Sequence, residues 1–88
     1  MNKAEILLKK QPRKYLVGVD AATYKKLRRA LDGLQEFKGD IIKLQGSEFY
    51  RLKIPQYRII FTRDKLINII FVEEINTRTN INYRRYTK

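Results

Sequence analysis

Eighty-eight residues, with hydrophobic side chains at 43% and aromatics at 11%, suffice for one small folded domain and argue against disorder. The chain has no cysteine and no histidine. Disulfides, thiolate chemistry, the usual neutral-pH base and the commonest zinc ligand are therefore excluded. Lys and Arg number 20 against 9 acids, a net charge of +11, which suits RNA, DNA or an acidic protein as partner without choosing among them.

Met1–Gln11 carries lysines and lacks the apolar centre of a signal peptide, so a cytoplasmic address is expected. The segment from Lys3 to Gln11 reads as a short helix with Ile6 and Leu7 inward, ended by Pro12. Tyr15–Val19 fits either a short strand or a packed loop. Asp20 is a good N-cap for a second helix, in which Tyr24, Leu27, Leu31 and Leu34 fall at helical spacing and Lys25, Lys26, Arg28 and Arg29 mostly take the other sides. This helix should end near Gln35, ahead of a Lys38-Gly39-Asp40 turn.

The period then changes. Ile41–Leu44 reads as a short strand, and Phe49–Ile54 alternates, with Tyr50, Leu52 and Ile54 on one side and Arg51 and Lys53 on the other. Pro55-Gln56 is a turn, Tyr57–Arg63 a strand, Asp64-Lys65 a turn, and Leu66–Glu74 a long strand apolar enough for a central position. Its apolar stretch, Leu66–Val72, is far short of the roughly 18 residues that a membrane span needs. From Ile75 onward the chain is a basic tail over the sheet or a short C-terminal helix. The sum is α+β: a helical hairpin packed on a small antiparallel sheet of three to four strands, in a single domain over residues 1–88.

The hairpin around Pro55-Gln56 carries the sharpest chemical signal. In a two-residue loop Lys53 opposes Arg58, and directly opposed side chains share a face with Cβ atoms about 5 Å apart. Arg51, two residues before Lys53, joins them. A type I turn with a bulge would shift the pairing by one residue and separate Lys53 from Arg58. Opposed like charges destabilise a sheet, so three cations kept together suggest a polyanionic ligand. The plainer reading is that these long side chains splay into water. The tail adds Arg78, Tyr83, Arg84, Arg85 and Tyr86, in which arginines can fork onto phosphate and tyrosines stack on unpaired bases. Its tyrosines could equally pack on the sheet edge. Lys43, on the strand before the hairpin, is a further candidate RNA contact.

The run from Gly39 to Tyr86, GDIIKLQGSEFYRLKIPQYRIIFTRDKLINIIFVEEINTRTNINYRRY, resembles the RelE/ParE superfamily of toxins. Similar features are a Gly-Asp followed by Lys-Leu-x-Gly, a Tyr-Arg-Leu-Lys strand, a tight turn, a Tyr-Arg-aliphatic strand and an arginine-bearing, tyrosine-terminated tail. The family's usual opening strand has no counterpart if a helix begins at Lys3. The resemblance implies a ribosome-dependent endoribonuclease acting on mRNA, held in check by a cognate antitoxin, with no metal or other cofactor. Other members of the superfamily poison gyrase, and a non-catalytic nucleic-acid-binding module is a further possible outcome of the same fold. Carried over by position, Lys53 would activate the ribose 2′-OH, its cationic neighbours favouring the neutral amine. Arg58 would hold the phosphate, Arg78 steady the leaving oxygen, and Tyr83 stack on the base or donate a proton. Arg51, Lys43, Arg84, Arg85 and Tyr86 would bind RNA.

Overall fold

A computed structural model describes residues 3–87. In chain order the elements are β1 (Glu5–Leu8), α1 (Lys10–Gly18), α2 (Ala21–Leu34), β2 (Asp40–Lys43), β3 (Tyr50–Ile54), β4 (Tyr57–Asp64), β5 (Ile69–Thr77) and a 3₁₀ turn (Tyr83–Arg85). The strands form one sheet in the order β1-β5-β4-β3-β2. β1 runs parallel to β5, and the other neighbours are antiparallel. The class is α+β as the sequence suggests, but the sheet has five strands and is mixed.

The extra strand is β1, where a helix is expected from the sequence. Pro12 is the third residue of α1. In the first turn its missing N–H leaves no intrahelical bond unmade, so proline is accommodated at a helix start as well as beyond a helix end. Tyr15–Val19 accordingly lies largely within α1. Ile6 and Leu7 point to opposite faces. Ile6 and Leu8 pack on the core, while Leu7 is exposed. β1 pairs Ile6 with Ile70 and Leu8 with Val72. Past the end of β1, the Gln11 side chain continues the pairing: its amide nitrogen donates to Ile75 O at 2.8 Å and its oxygen accepts from Ile75 N at 2.9 Å.

One face of the sheet carries both helices. Leu16 of α1 and Leu27, Leu31 and Leu34 of α2 meet Leu52, Ile59, Phe61, Ile70, Val72 and Ile75. Each such buried aliphatic side chain contributes roughly 1.5–3 kcal/mol. Tyr24 shares the leucine spacing but stays exposed. Asp20 holds the N-cap position with extended backbone, and Gln35 is the C-cap.

β5 starts and ends three residues later than the apolar run suggests. Asp64 Oδ1 accepts the N–H groups of Leu66 and Ile67 at 3.0 and 3.3 Å, which turns the chain and leaves both side chains exposed. Asn68, at φ +57°, closes the loop. Farther along, Ile60 pairs with Glu74 but Phe61 with Val72, so Glu73 is the extra residue of a β-bulge. The bulge keeps Val72 and Ile75 both on the helix side and turns Glu74 to the other face. There a second cluster forms from Leu44, Ile60, Ile81 and Tyr86, with Phe49 and Tyr83 against it.

Candidate functional site

The β3–β4 hairpin has the two-residue register. Ile54 pairs with Tyr57, Lys53 with Arg58, Leu52 with Ile59 and Arg51 with Ile60. Pro55 precedes Gln56, whose φ is +69°. Proline followed by a left-handed residue is the pattern of a type II turn, which accommodates Pro55 without a bulge. Leu52, Ile54, Tyr57 and Ile59 face the helices. Arg51, Lys53 and Arg58 share the opposite face with Ile60, Glu74 and Asn76.

The three cations differ in surroundings. Lys53 is exposed. Arg58 is half-buried, and its Nη1 donates to Ile54 O at 3.1 Å and Tyr57 O at 2.8 Å. The side chain thus clamps its own turn, with Nε and Nη2 left over for a ligand. Arg51 is largely covered. Its Nη2 lies 3.6 Å from Asp40 Oδ1, and its Nε is buried without a protein partner among the described residues.

The tail returns to the same turn. The Arg78 N–H donates to Gln56 O at 2.9 Å, and the Arg78 side chain is exposed. Arg58 through its side chain and Arg78 through its backbone N–H therefore both bond to the Ile54–Tyr57 turn. Tyr83 is half-buried in the 3₁₀ turn, which Asn82 caps by accepting the Arg84 N–H at 3.0 Å. Arg84 and Arg85 are exposed.

Two expected RNA contacts are placed elsewhere. Tyr86 is 9% exposed, its ring meets Phe49 edge-on at 4.9 Å, and its hydroxyl donates to Glu74. Burial, and then the Glu74 carboxylate, push its phenol well above the ordinary range. A ring packed in this way has no free face on which a base can stack. Lys43 pairs across the ladder with Tyr50, whose ring meets Phe37 and Phe61. Lys43 thus belongs to the helix side of β2, away from Arg51, Lys53 and Arg58. Six further exposed cations, Lys10, Arg13, Lys14, Lys25, Lys26 and Arg29, lie on the helices, so the basic excess extends beyond this face.

No family model and no curated protein matches the sequence. Solved structures do match. The chain is similar to an archaeal RelE–RelB complex of Pyrococcus horikoshii, with TM-score 0.74, 24% identity, and coverage of 90% of this chain and 99% of that one. The chain has the RelE fold. A RelBE toxin–antitoxin complex of Mycobacterium tuberculosis gives TM-score 0.72 at 11% identity, covering 86% and 99%. The RelB–RelE antitoxin–toxin complex of Methanococcus jannaschii gives 0.66 at 23%, covering 83% and 91%. Within this RelE fold the sequence reading missed Glu74, Asn76 and Asp40. Two adjacent acids, Glu73 and Glu74, interrupt the apolar strand, and a buried carboxylate requires a partner, but only the bulge at Glu73 decides that Glu74 is the buried one. Asp40 and Asn76 are recognisable only once the register sets them beside Arg51 and Arg58.

Proposed function

We propose that the chain is the toxin of a type II toxin–antitoxin system and cuts mRNA on the ribosome. The observation that carries this reading is the hairpin register, which sets Lys53 directly opposite Arg58, at a turn to which the Arg78 N–H also bonds. RNA cleavage of this kind needs little from the protein. The ribose 2′-oxygen attacks the adjacent phosphorus, the 5′-oxygen departs, and a cyclic phosphate remains. Lys53 takes the 2′-OH proton. The free Nε and Nη2 of Arg58 donate to the phosphate oxygens as negative charge gathers there. Arg78 steadies the departing oxygen, and Tyr83 supplies its proton or stacks on a base. Arg51 adds field from the same face, while Arg84 and Arg85 hold the strand on either side. Groups this modest suffice where the ribosome fixes the geometry of the substrate.

An antitoxin partner is part of the same proposal. It rests on the RelE fold and on neighbours of that fold that were solved as complexes with RelB. The test is to induce the gene alone in bacteria and map mRNA ends. Growth arrest with new ends inside coding regions, both abolished by Lys53→Ala and by Arg58→Ala and both relieved by the antitoxin, is the expected result. Arrest with intact mRNA and a DNA-damage response would mark a gyrase poison instead. Salt-sensitive nucleic-acid binding without arrest would mark a non-catalytic binding module.

A further inference from the structure

Glu74 is the one buried charged side chain among the described residues. A carboxylate withdrawn from water needs hydrogen-bond donors, and here its two oxygens find them in different places. Oε1 accepts the Tyr86 hydroxyl, and Oε2 accepts the Asn76 side-chain amide at 3.1 Å. Asn76 stands directly across the ladder from Arg58, and Glu74 directly across from Ile60, which the tail covers.

The hydrogen bonds of residues 78–87 fall into two groups. Thr79, Asn80, Ile81, Arg84, Arg85, Tyr86 and Thr87 bond within the segment or to Thr77 just before it. Two bonds reach across to the sheet proper. Arg78 N–H to Gln56 O fastens the near end, and Tyr86 to Glu74 fastens the far end. The tail is a strap tied at both ends, with Tyr83 between the ties.

We propose that Glu74 is a positioning residue: through Tyr86 it fastens the far end of the strap, and so holds Tyr83, with the segment that begins at Arg78, against the sheet face that carries Lys53 and Arg58. This rests on the reading of the hairpin as an RNA-cleaving site. Glu74 takes no part in the chemistry, because it is buried and both oxygens are engaged. Its Asn76 bond serves the same end by steadying the strand position opposite Arg58.

The test uses Tyr86→Phe, which keeps the ring against Phe49 and removes only the hydroxyl. Two readouts are followed: trypsin cutting of the native protein after Arg84 and Arg85, and cleavage of ribosome-bound mRNA. Tyr86→Phe and Glu74→Ala should each speed tail cutting about tenfold by local opening, while Glu74→Gln, which still offers Tyr86 an acceptor, keeps most of the protection. RNA cleavage should fall about tenfold in Tyr86→Phe through lost alignment. It should fall no further when the same change is made in an Arg78→Ala/Tyr83→Ala background. Unchanged trypsin protection overturns the proposal. So does an equal loss of RNA cleavage in both backgrounds, which would indicate general weakening of the fold. If the wild-type protein cleaves no RNA, the reading of the hairpin fails. Faster tail cutting would then still uphold Glu74 as the fastener, and unchanged cutting would overturn it.

Discussion

Arg58 clamps its own turn and, on the proposed reading, also holds phosphate, and substitution should separate the two. Its Nη1 holds Ile54 O at 3.1 Å and Tyr57 O at 2.8 Å, which leaves Nε and Nη2 for the proposed phosphate contact. A hydrogen bond from a charged donor contributes about 1.5–3 kcal/mol when buried. Arg58 is only half-buried and one nitrogen serves both carbonyls. The pair together is therefore worth about 1–2 kcal/mol, and each kcal/mol moves Tm by about 4–8 °C in a domain of this size. Arg58→Ala should lower Tm accordingly. It should also slow mRNA cleavage by about 10²–10³-fold, the usual cost of one donor to a developing oxyanion. Arg58→Lys keeps the charge and one donor to the turn but loses the fork. It should recover part of the Tm and little of the rate. Thermal unfolding by circular dichroism and cleavage of ribosome-bound mRNA measure the two effects on the same preparations. An Arg58→Ala protein that melts with the wild type refutes the turn clamp. One that melts earlier but cleaves at the wild-type rate refutes the phosphate role.

Other expectations follow from single contacts. Gly39 has φ +127°, and an added Cβ would lie 2.6 Å from Leu52 Cδ1 in the core, so Gly39→Ala should cost about 1–3 kcal/mol in urea unfolding. Gln11→Ala frees both backbone groups of Ile75 and should cost about 1–3 kcal/mol, with faster amide exchange at Ile75 as its specific mark. The Tyr86 phenol is raised above its unfolded value by burial and by Glu74. Its contribution to stability is therefore fully present below the ordinary phenol pKa and is lost as pH rises through the folded one. An alkaline absorbance titration should show a late-ionising tyrosine that disappears in Tyr86→Phe.

The hairpin was legible because two residues, Pro55 and Gln56, separate two alternating runs, and a connection so short leaves few registers. Alternation through Tyr50, Leu52 and Ile54 then fixed which side the cations take. The leucines of α2 were legible for the corresponding reason, a sustained period of 3.6. β1 was not legible. Four residues give too short a pattern, their partners begin at Ile69, and Pro12 mimics a helix stop where it begins one. The start of β5 was hidden by Leu66 and Ile67, apolar residues that the Asp64 turn leaves in water. Within the site, residue spacing and one turn put Arg51, Lys53 and Arg58 on one face, whereas Arg78 was joined to them only through the family resemblance. Tyr86 between basic residues reads equally as an RNA contact or as a ring packed on the sheet edge, and its burial depends on Glu74, twelve residues earlier on another element. Lys43 could not be assigned a face until β2 was paired with β3.

On the proposed reading Lys53 and Arg58, opposed across one hairpin, cut a phosphodiester that the ribosome presents. The most direct measurement is end-mapping of one mRNA incubated with the purified protein, free or bound in the ribosomal decoding site, alongside Lys53→Ala. Cuts should appear only in the ribosome-bound message, at least about 10²-fold slower with Lys53→Ala. Equal cutting by wild type and Lys53→Ala, or no cutting of the bound message by folded wild-type protein, would contradict it.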